Sequence, residues 1–144
     1  MKLMHLPIIL GAALVLSSAN LFGQTLTELQ GKWTLKKQSD RFGGEIVQTL
    51  QVKDDQFTYK VQSKAGETVL YAKGKVKVEK LGAFKLLKAT DIQGGYSETD
   101  LQAVNDDRTI IYVATANTLT LAMNFDQERE GEKAEADTYT KAKQ

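Results

Sequence analysis

The chain has 144 residues, with 18 acidic and 19 basic side chains, one histidine and no cysteine. This length suits one domain with its own core, and the lack of cysteine excludes disulfides and thiolate metal sites. The net charge of +1 gives no electrostatic reason to expect nucleic acid or an anionic membrane as a partner.

The first residues have the features of a secretory signal peptide. Lys2 precedes an apolar run from Leu6 to Leu16, about 11 residues, which is short of the ~20 that span a bilayer. Cleavage after residue 19 makes 1–19 the signal peptide and 20–144 the mature domain, and cleavage as late as residue 23 is the alternative. A second interpretation is an uncleaved N-terminal anchor. We expect a secreted or periplasmic protein with no membrane insertion after cleavage.

Cleavage also removes the only histidine, His5. The mature chain then lacks the commonest general base near neutral pH, the partner of Ser or Cys nucleophiles and the usual zinc and haem ligands. The paired aspartates at 54–55 and 106–107 belong to turns and point apart, unlike the converging carboxylates of glycosidases. We predict no enzyme, no catalytic residue, no metal site and no cofactor.

The predicted elements begin with a single helical turn at 26–29 that leads into a first strand at 31–38. Gly31 lets the backbone enter this strand without steric conflict, and Trp33 is expected to point into the floor of the structure. Alternation of apolar and polar residues, typical of half-buried antiparallel strands, then recurs along the chain. It predicts strands at 45–53, 56–63, 67–73, 74–80, 83–90, 108–115, 118–126 and 136–142.

Three features of this pattern leave room for interpretation. Gly74 could mark a bulge, so that 67–80 is one bent strand instead of two. The segment 91–108 looks like a long loop, with a short strand near 101–104. The segment 126–137 looks like a charged, flexible and solvated hairpin tip.

Eight or nine consecutive strands joined mostly by short turns predict an all-β fold, an up-and-down antiparallel β-barrel with a short N-terminal helical turn. Closing such a meander removes the exposed edges that an open sheet must protect. One end of the barrel must be plugged, and a single large ring at Trp33 would do so.

The Gly31-x-Trp33 pair at the head of the first strand resembles the sequence mark of the lipocalin superfamily. From 26 to 143 the chain also resembles a lipocalin-like family of small secreted bacterial proteins found in planctomycetes. That resemblance rests on a leading Leu-x-Gly-x-Trp and on a late pattern at Tyr112, Asn117, Thr118, Leu119 and Leu121. The Gly-x-x-Arg-Pro stretch that often follows in the family is missing. The resemblance implies a lipocalin-like barrel with no established enzymatic activity.

In lipocalins an arginine stacks over the floor tryptophan, and no residue here clearly corresponds to it. Lys141 or Lys143 on the last strand could cover the ring through a cation–π contact. The simpler expectation is that both lysines are exposed at the terminus.

Candidate ligand-binding residues come from different predicted strands. Tyr59, Tyr71 and Tyr112 fall in apolar rows, and Met123 adds adaptable bulk. If these residues face inward, they form an amphipathic lining for a small apolar or amphipathic molecule inside a monomeric barrel. Small barrels are also found packed solid. The alternative is therefore a filled barrel that acts through its loops as a protein-interaction or cell-envelope-associated module.

Overall fold

The computed structural model describes residues 26–129 and 131–143, so the predicted signal peptide lies outside the described residues. A single turn at 26–30 leads into nine strands of one antiparallel sheet. Their bounds are β1 Gly31–Ser39, β2 Gly44–Lys53, β3 Gln56–Ser63, β4 Thr68–Leu81, β5 Phe84–Ser97, β6 Asp100–Ala103, β7 Arg108–Ala114, β8 Thr118–Met123 and β9 Glu135–Lys141.

The sheet closes on itself, which confirms the predicted up-and-down β-barrel. Eight strands form the wall in the order β1-β2-β3-β4-β5-β7-β8-β9, and β9 pairs back onto β1. The ninth strand, β6, is an addition that pairs only with β5. No helix among the described residues is long and apolar enough to cross a bilayer.

Period-two burial along the strands builds the interior. In β2, Ile46, Gln48, Leu50 and Val52 face inward with at most 6% exposure, and the residues between them face solvent. We call the end that holds the turn 26–30 the floor, and the end that holds the connections 39–44 and 123–135 the mouth. The most completely buried side chains include Trp33 and Leu119, both 0% exposed.

The β4–β5 hairpin is longer than the sequence pattern predicts. β4 is one strand, and its register with β5 shifts between Lys73 and Lys75, so Gly74 does mark a bulge. The predicted loop at 91–108 is wrong in its first part, because β5 continues to Ser97. Asp91, with φ 49°, is the extra residue of this bulge in β5. Because the bulge absorbs it, β5 continues beyond this point. The short strand expected near 101–104 is present as β6.

Candidate functional site

The floor is built around Trp33, whose indole is fully buried. Its Nε1–H donates to the carbonyl oxygen of Leu29 at 2.9 Å, and that residue closes the turn by donating its own N–H to the Leu26 carbonyl at 3.1 Å. The Gln30 amide exchanges two hydrogen bonds with the backbone of Asp54, at 2.9 and 2.8 Å. The N-terminal turn is thus fixed to the floor and the indole is held in one orientation.

Lys141 covers the floor ring. Its ammonium lies 5.1 Å from the ring centroid of Trp33, because the two residues are cross-strand partners of β1 and β9. Lys141 is exposed, as the simpler expectation had it, and it also makes the cation–π contact that was the other interpretation. Gly31 makes room for this arrangement, since a Cβ there would lie 3.1 Å from the lysine Cε and the backbone has φ 116.

Three of the four candidate ligand residues face the interior. Tyr59 pairs with Leu50 in the inward row that also contains Trp33. Tyr112 is 2% exposed, and its hydroxyl has no hydrogen-bond partner among the described residues. Burial raises the pKa of Tyr112 to about 12, so this hydroxyl stays protonated at neutral pH. Met123 lies at the mouth end of β8 and packs against the core.

Tyr71 does not join the other three. The register pairs it with Lys60, one position away from the inward pair of Tyr59 and Ala72. Because side chains alternate across a strand, Tyr71 faces the outside of the barrel, where it is nevertheless 9% exposed. Its apolar sequence surroundings indicated burial correctly, but they carried no information on which face is buried.

A buried polar pair that the sequence analysis missed lies within the barrel. The Tyr139 hydroxyl, on a residue that is 0% exposed, donates to Gln48 Oε1 at 2.7 Å. Burial raises the pKa values of Tyr139 and of Tyr59 well above the usual tyrosine range, so both remain neutral donors. The sequence did contain a signal for this pair. Gln48 is a polar residue in an otherwise apolar inward row, and a buried polar side chain requires a hydrogen-bond partner.

Charged residues line the wall nearer the mouth. The Lys37 ammonium contacts Glu135 Oε1 at 2.6 Å and Asp137 Oδ2 at 2.8 Å. Burial lowers the pKa of Lys37, but the hydrogen bonds from Asp137 and Glu135 outweigh that effect and the net shift is upward. Charged groups therefore lie beside apolar residues on this part of the interior wall.

An ion-pair cluster, which we call the latch, fixes the connection between β8 and β9. Arg129 is 8% exposed, and its guanidinium binds Asp106 with a shortest contact of 2.7 Å and Asp126 with a shortest contact of 2.8 Å. Each carboxylate receives two hydrogen bonds from this guanidinium. The prediction of a flexible, solvated tip over 126–137 is therefore wrong where Arg129 anchors the segment.

The latch borders a small cleft at the mouth. The cleft is about 50 Å³, and it is lined by Arg108, Thr109, Ile110, Met123, Asn124 and Arg129. Pockets for small organic ligands usually have volumes of about 300 Å³ or more, whereas a space of this size holds water. Several inward-facing apolar side chains above Trp33 are only partly buried; they are Leu35, Tyr59, Ala72, Ile110 and Met123.

Within the described residues, no group of three or more His, Asp or Glu side chains is placed to hold a metal ion. Comparison of the chain with protein-family models, with curated proteins and with solved structures finds no match.

The latch predicts sensitivity to acid. The hydrogen bond from Arg129 lowers the pKa of Asp126 to about 2 and also lowers the pKa of Asp106. Because the folded-state pKa values lie below the unfolded ones, this stabilisation is complete above the unfolded pKa near 4 and is lost as the pH falls towards 2. We expect the melting temperature of the protein to fall across this range.

An Arg129→Met variant tests the cause. This variant should be less stable than the parent at pH 7. Between about pH 4 and pH 2 its melting temperature should fall by less than that of the parent. Arg41→Met is the matched control, because Arg41 is more exposed and lies 3.6 Å from Glu132. If Arg129→Met shows the same acid-induced loss as the parent, the latch does not cause it.

Proposed function

We propose that the protein is a non-catalytic β-barrel of lipocalin-like kinship, exported from the cytoplasm, that binds one small apolar or amphipathic molecule at its mouth. The observation that carries this proposal is a set of inward-facing residues that keep part of their surface accessible. Tyr59, Ile110 and Met123 are only partly buried, whereas Trp33 and Leu119 beneath them are fully buried.

The chemistry of the mouth suits an amphipathic molecule. Leu35, Ala72 and Ile110 offer apolar contact, and the buried hydroxyls of Tyr59 and Tyr139 supply neutral polar groups beside them. A few polar groups set in an apolar lining are typical of small-molecule sites. Because the cleft at the latch is only about 50 Å³, the ligand would need to displace side chains there. Met123 has the flexibility for such repacking.

A mouth-filling variant tests the proposal. We expect an amphipathic fluorescent dye such as 1-anilinonaphthalene-8-sulfonate to bind the folded protein, and Met123→Trp to weaken that binding at least tenfold by occupying the mouth. Gln51→Trp adds the same ring on the exposed outer face of β2 and should leave dye affinity unchanged. Circular dichroism would verify that both variants are folded.

Native mass spectrometry of the protein purified from its own host gives a second, independent measurement. A co-purified molecule that is lost in Met123→Trp would support the proposal. Absence of any bound molecule, together with dye binding that Met123→Trp does not change, would contradict it.

The second candidate function is a filled barrel that acts as an interaction or envelope-associated module. It is favoured by the small volume of the latch cleft and by large apolar residues on the outside of the wall. Leu81, Phe84 and Val113 are 65%, 59% and 63% exposed. Exposed apolar residues that cluster in this way often mark a contact surface.

A further inference from the structure

The tip of the β4–β5 hairpin carries large apolar side chains in solvent. Leu81 and Phe84 are cross-strand partners on either side of the turn Gly82–Ala83, and they are 65% and 59% exposed. Val113, 63% exposed, follows the β7 residue that pairs with Lys85, so it lies beside Phe84. We call Leu81, Phe84 and Val113 the apolar row.

The row is the leading edge of a larger outer surface. Directly behind it on the same face lie Leu86 and Ile111, which are cross-strand partners of β5 and β7. Behind these come Lys77 and Lys88, which are cross-strand partners of β4 and β5. The lysines stand four residues from the tip, or about 13 Å along the strands. Their long side chains can extend several ångströms further in either direction.

The charge of this hairpin differs sharply from that of the rest of the chain. Residues 73–90 contain six lysines and one glutamate, a net charge of +5, whereas the whole chain carries +1. The remaining residues therefore carry −4. Three of the six lysines have acidic partners: Lys77 lies 3.3 Å from Glu79, Lys75 lies 3.4 Å from Asp91, and Lys85 contacts Glu28. The near-neutral total conceals a hairpin that is basic on balance.

Protection of a free strand edge explains only part of this pattern. β3 pairs with β4 only as far as Lys75, so the stretch 76–81 has an edge without a strand partner. Lysines on such an edge discourage pairing with other chains. Protecting the edge does not require apolar residues such as Leu81 and Phe84 beside the turn. Polar residues at these two positions would protect the edge equally well without exposing apolar surface.

We propose that this hairpin docks the barrel onto an anionic lipid surface. The apolar row would enter the boundary between headgroups and acyl chains, a zone about 5–10 Å deep. Lys77 and Lys88, which we call the lysine row, would lie near the phosphates. An exposed apolar tip with basic charge just behind it matches the order of layers in such a surface, with anionic headgroups outside and acyl chains beneath them. A second copy of this chain fits less well, because its own lysine rows would be brought together.

The proposal goes beyond ligand binding and is independent of it. The hairpin tip lies at the floor end, since Lys85 at the base of β5 contacts Glu28 in the N-terminal turn. The mouth is at the opposite end of the barrel. A docked molecule would therefore keep its mouth directed away from the lipid.

The absence of cysteine allows a direct test on the full chain. Ala83→Cys places a single environment-sensitive fluorophore in the hairpin turn, and Ala65→Cys places the same probe in the exposed turn at the other end. With vesicles of phosphatidylglycerol and phosphatidylcholine in equal parts, we expect a blue shift and at least a twofold rise in emission for the probe at 83 alone. Pure phosphatidylcholine vesicles should give at least fivefold weaker binding, as should high salt.

Substitutions identify the side chains responsible. Leu81→Ser with Phe84→Ser should lower vesicle affinity at least tenfold, whereas Tyr96→Ser, which removes an aromatic ring 78% exposed at the far end of β5, should have no effect. Equal signals from the two probe positions, or binding that survives the double substitution, would overturn the proposal. So would concentration-dependent self-association without lipid that the double substitution abolishes.

Discussion

Trp33→Ala is expected to cost about 3–5 kcal/mol of unfolding free energy, as large aromatic truncations in a core do. The indole is fully buried at the floor, and its loss opens a cavity that the surrounding strands cannot fill without breaking their pairing. The free energy of unfolding of a domain is itself only about 5–15 kcal/mol, so much of the population could unfold. Urea denaturation followed by far-UV circular dichroism measures the effect without relying on the tryptophan as a probe.

Trp33→Phe separates the two contributions of the indole. Phenylalanine keeps most of the ring packing but cannot donate to the Leu29 carbonyl, which now accepts at 2.9 Å. Leaving that buried acceptor without its partner should cost about 1–3 kcal/mol. Tyr96→Ala, on a ring that is 78% exposed, is the matched control and should change stability by less than about 0.5 kcal/mol. A cost below about 1 kcal/mol for Trp33→Ala would show that the indole does not plug the floor.

The architecture was predictable because period-two alternation is a local signal. The inward row of β2 can be read directly from alternating letters, and the barrel follows once edges must be closed. The turn at 26–30 and the position of Trp33 also depend on neighbours in the chain. Each of these features is decided within a few residues.

The features that were predicted incorrectly or left open depend on contacts between distant segments. Asp91 in a left-handed conformation lets β5 continue where a loop was expected, and turn composition alone does not distinguish the two. The outward placement of Tyr71 depends on the register with β3, and the burial of Arg129 depends on Asp106, 23 residues away. The position of Lys141 over Trp33 requires the closing pair of strands. None of these partners can be identified from one sequence.

Gly74→Ala is expected to cost about 2–3 kcal/mol, because it adds a methyl group where the bulge leaves no space. A Cβ at this position would lie 2.6 Å from the Thr90 carbonyl oxygen, 2.8 Å from Phe57 Cε1 and 3.2 Å from the Asp91 carbonyl oxygen. Two of these atoms are backbone, and the Phe57 ring is held in the core, so relief requires the two strands to separate. Urea denaturation would measure this cost as a lower midpoint concentration, with an unchanged slope of the unfolding free energy against urea concentration.

Gly94→Ala is the matched control for this substitution, since it also lies on the inward face of the same hairpin. A Cβ there would meet Val104 Cγ2 at 3.4 Å and the Tyr71 carbonyl oxygen at 3.7 Å, which are ordinary contact distances. It should therefore be neutral or slightly stabilising, because alanine restricts the unfolded chain more than glycine does. Equal costs for the two substitutions would mean that general loss of glycine flexibility, and not the close approach at the bulge, decides the result.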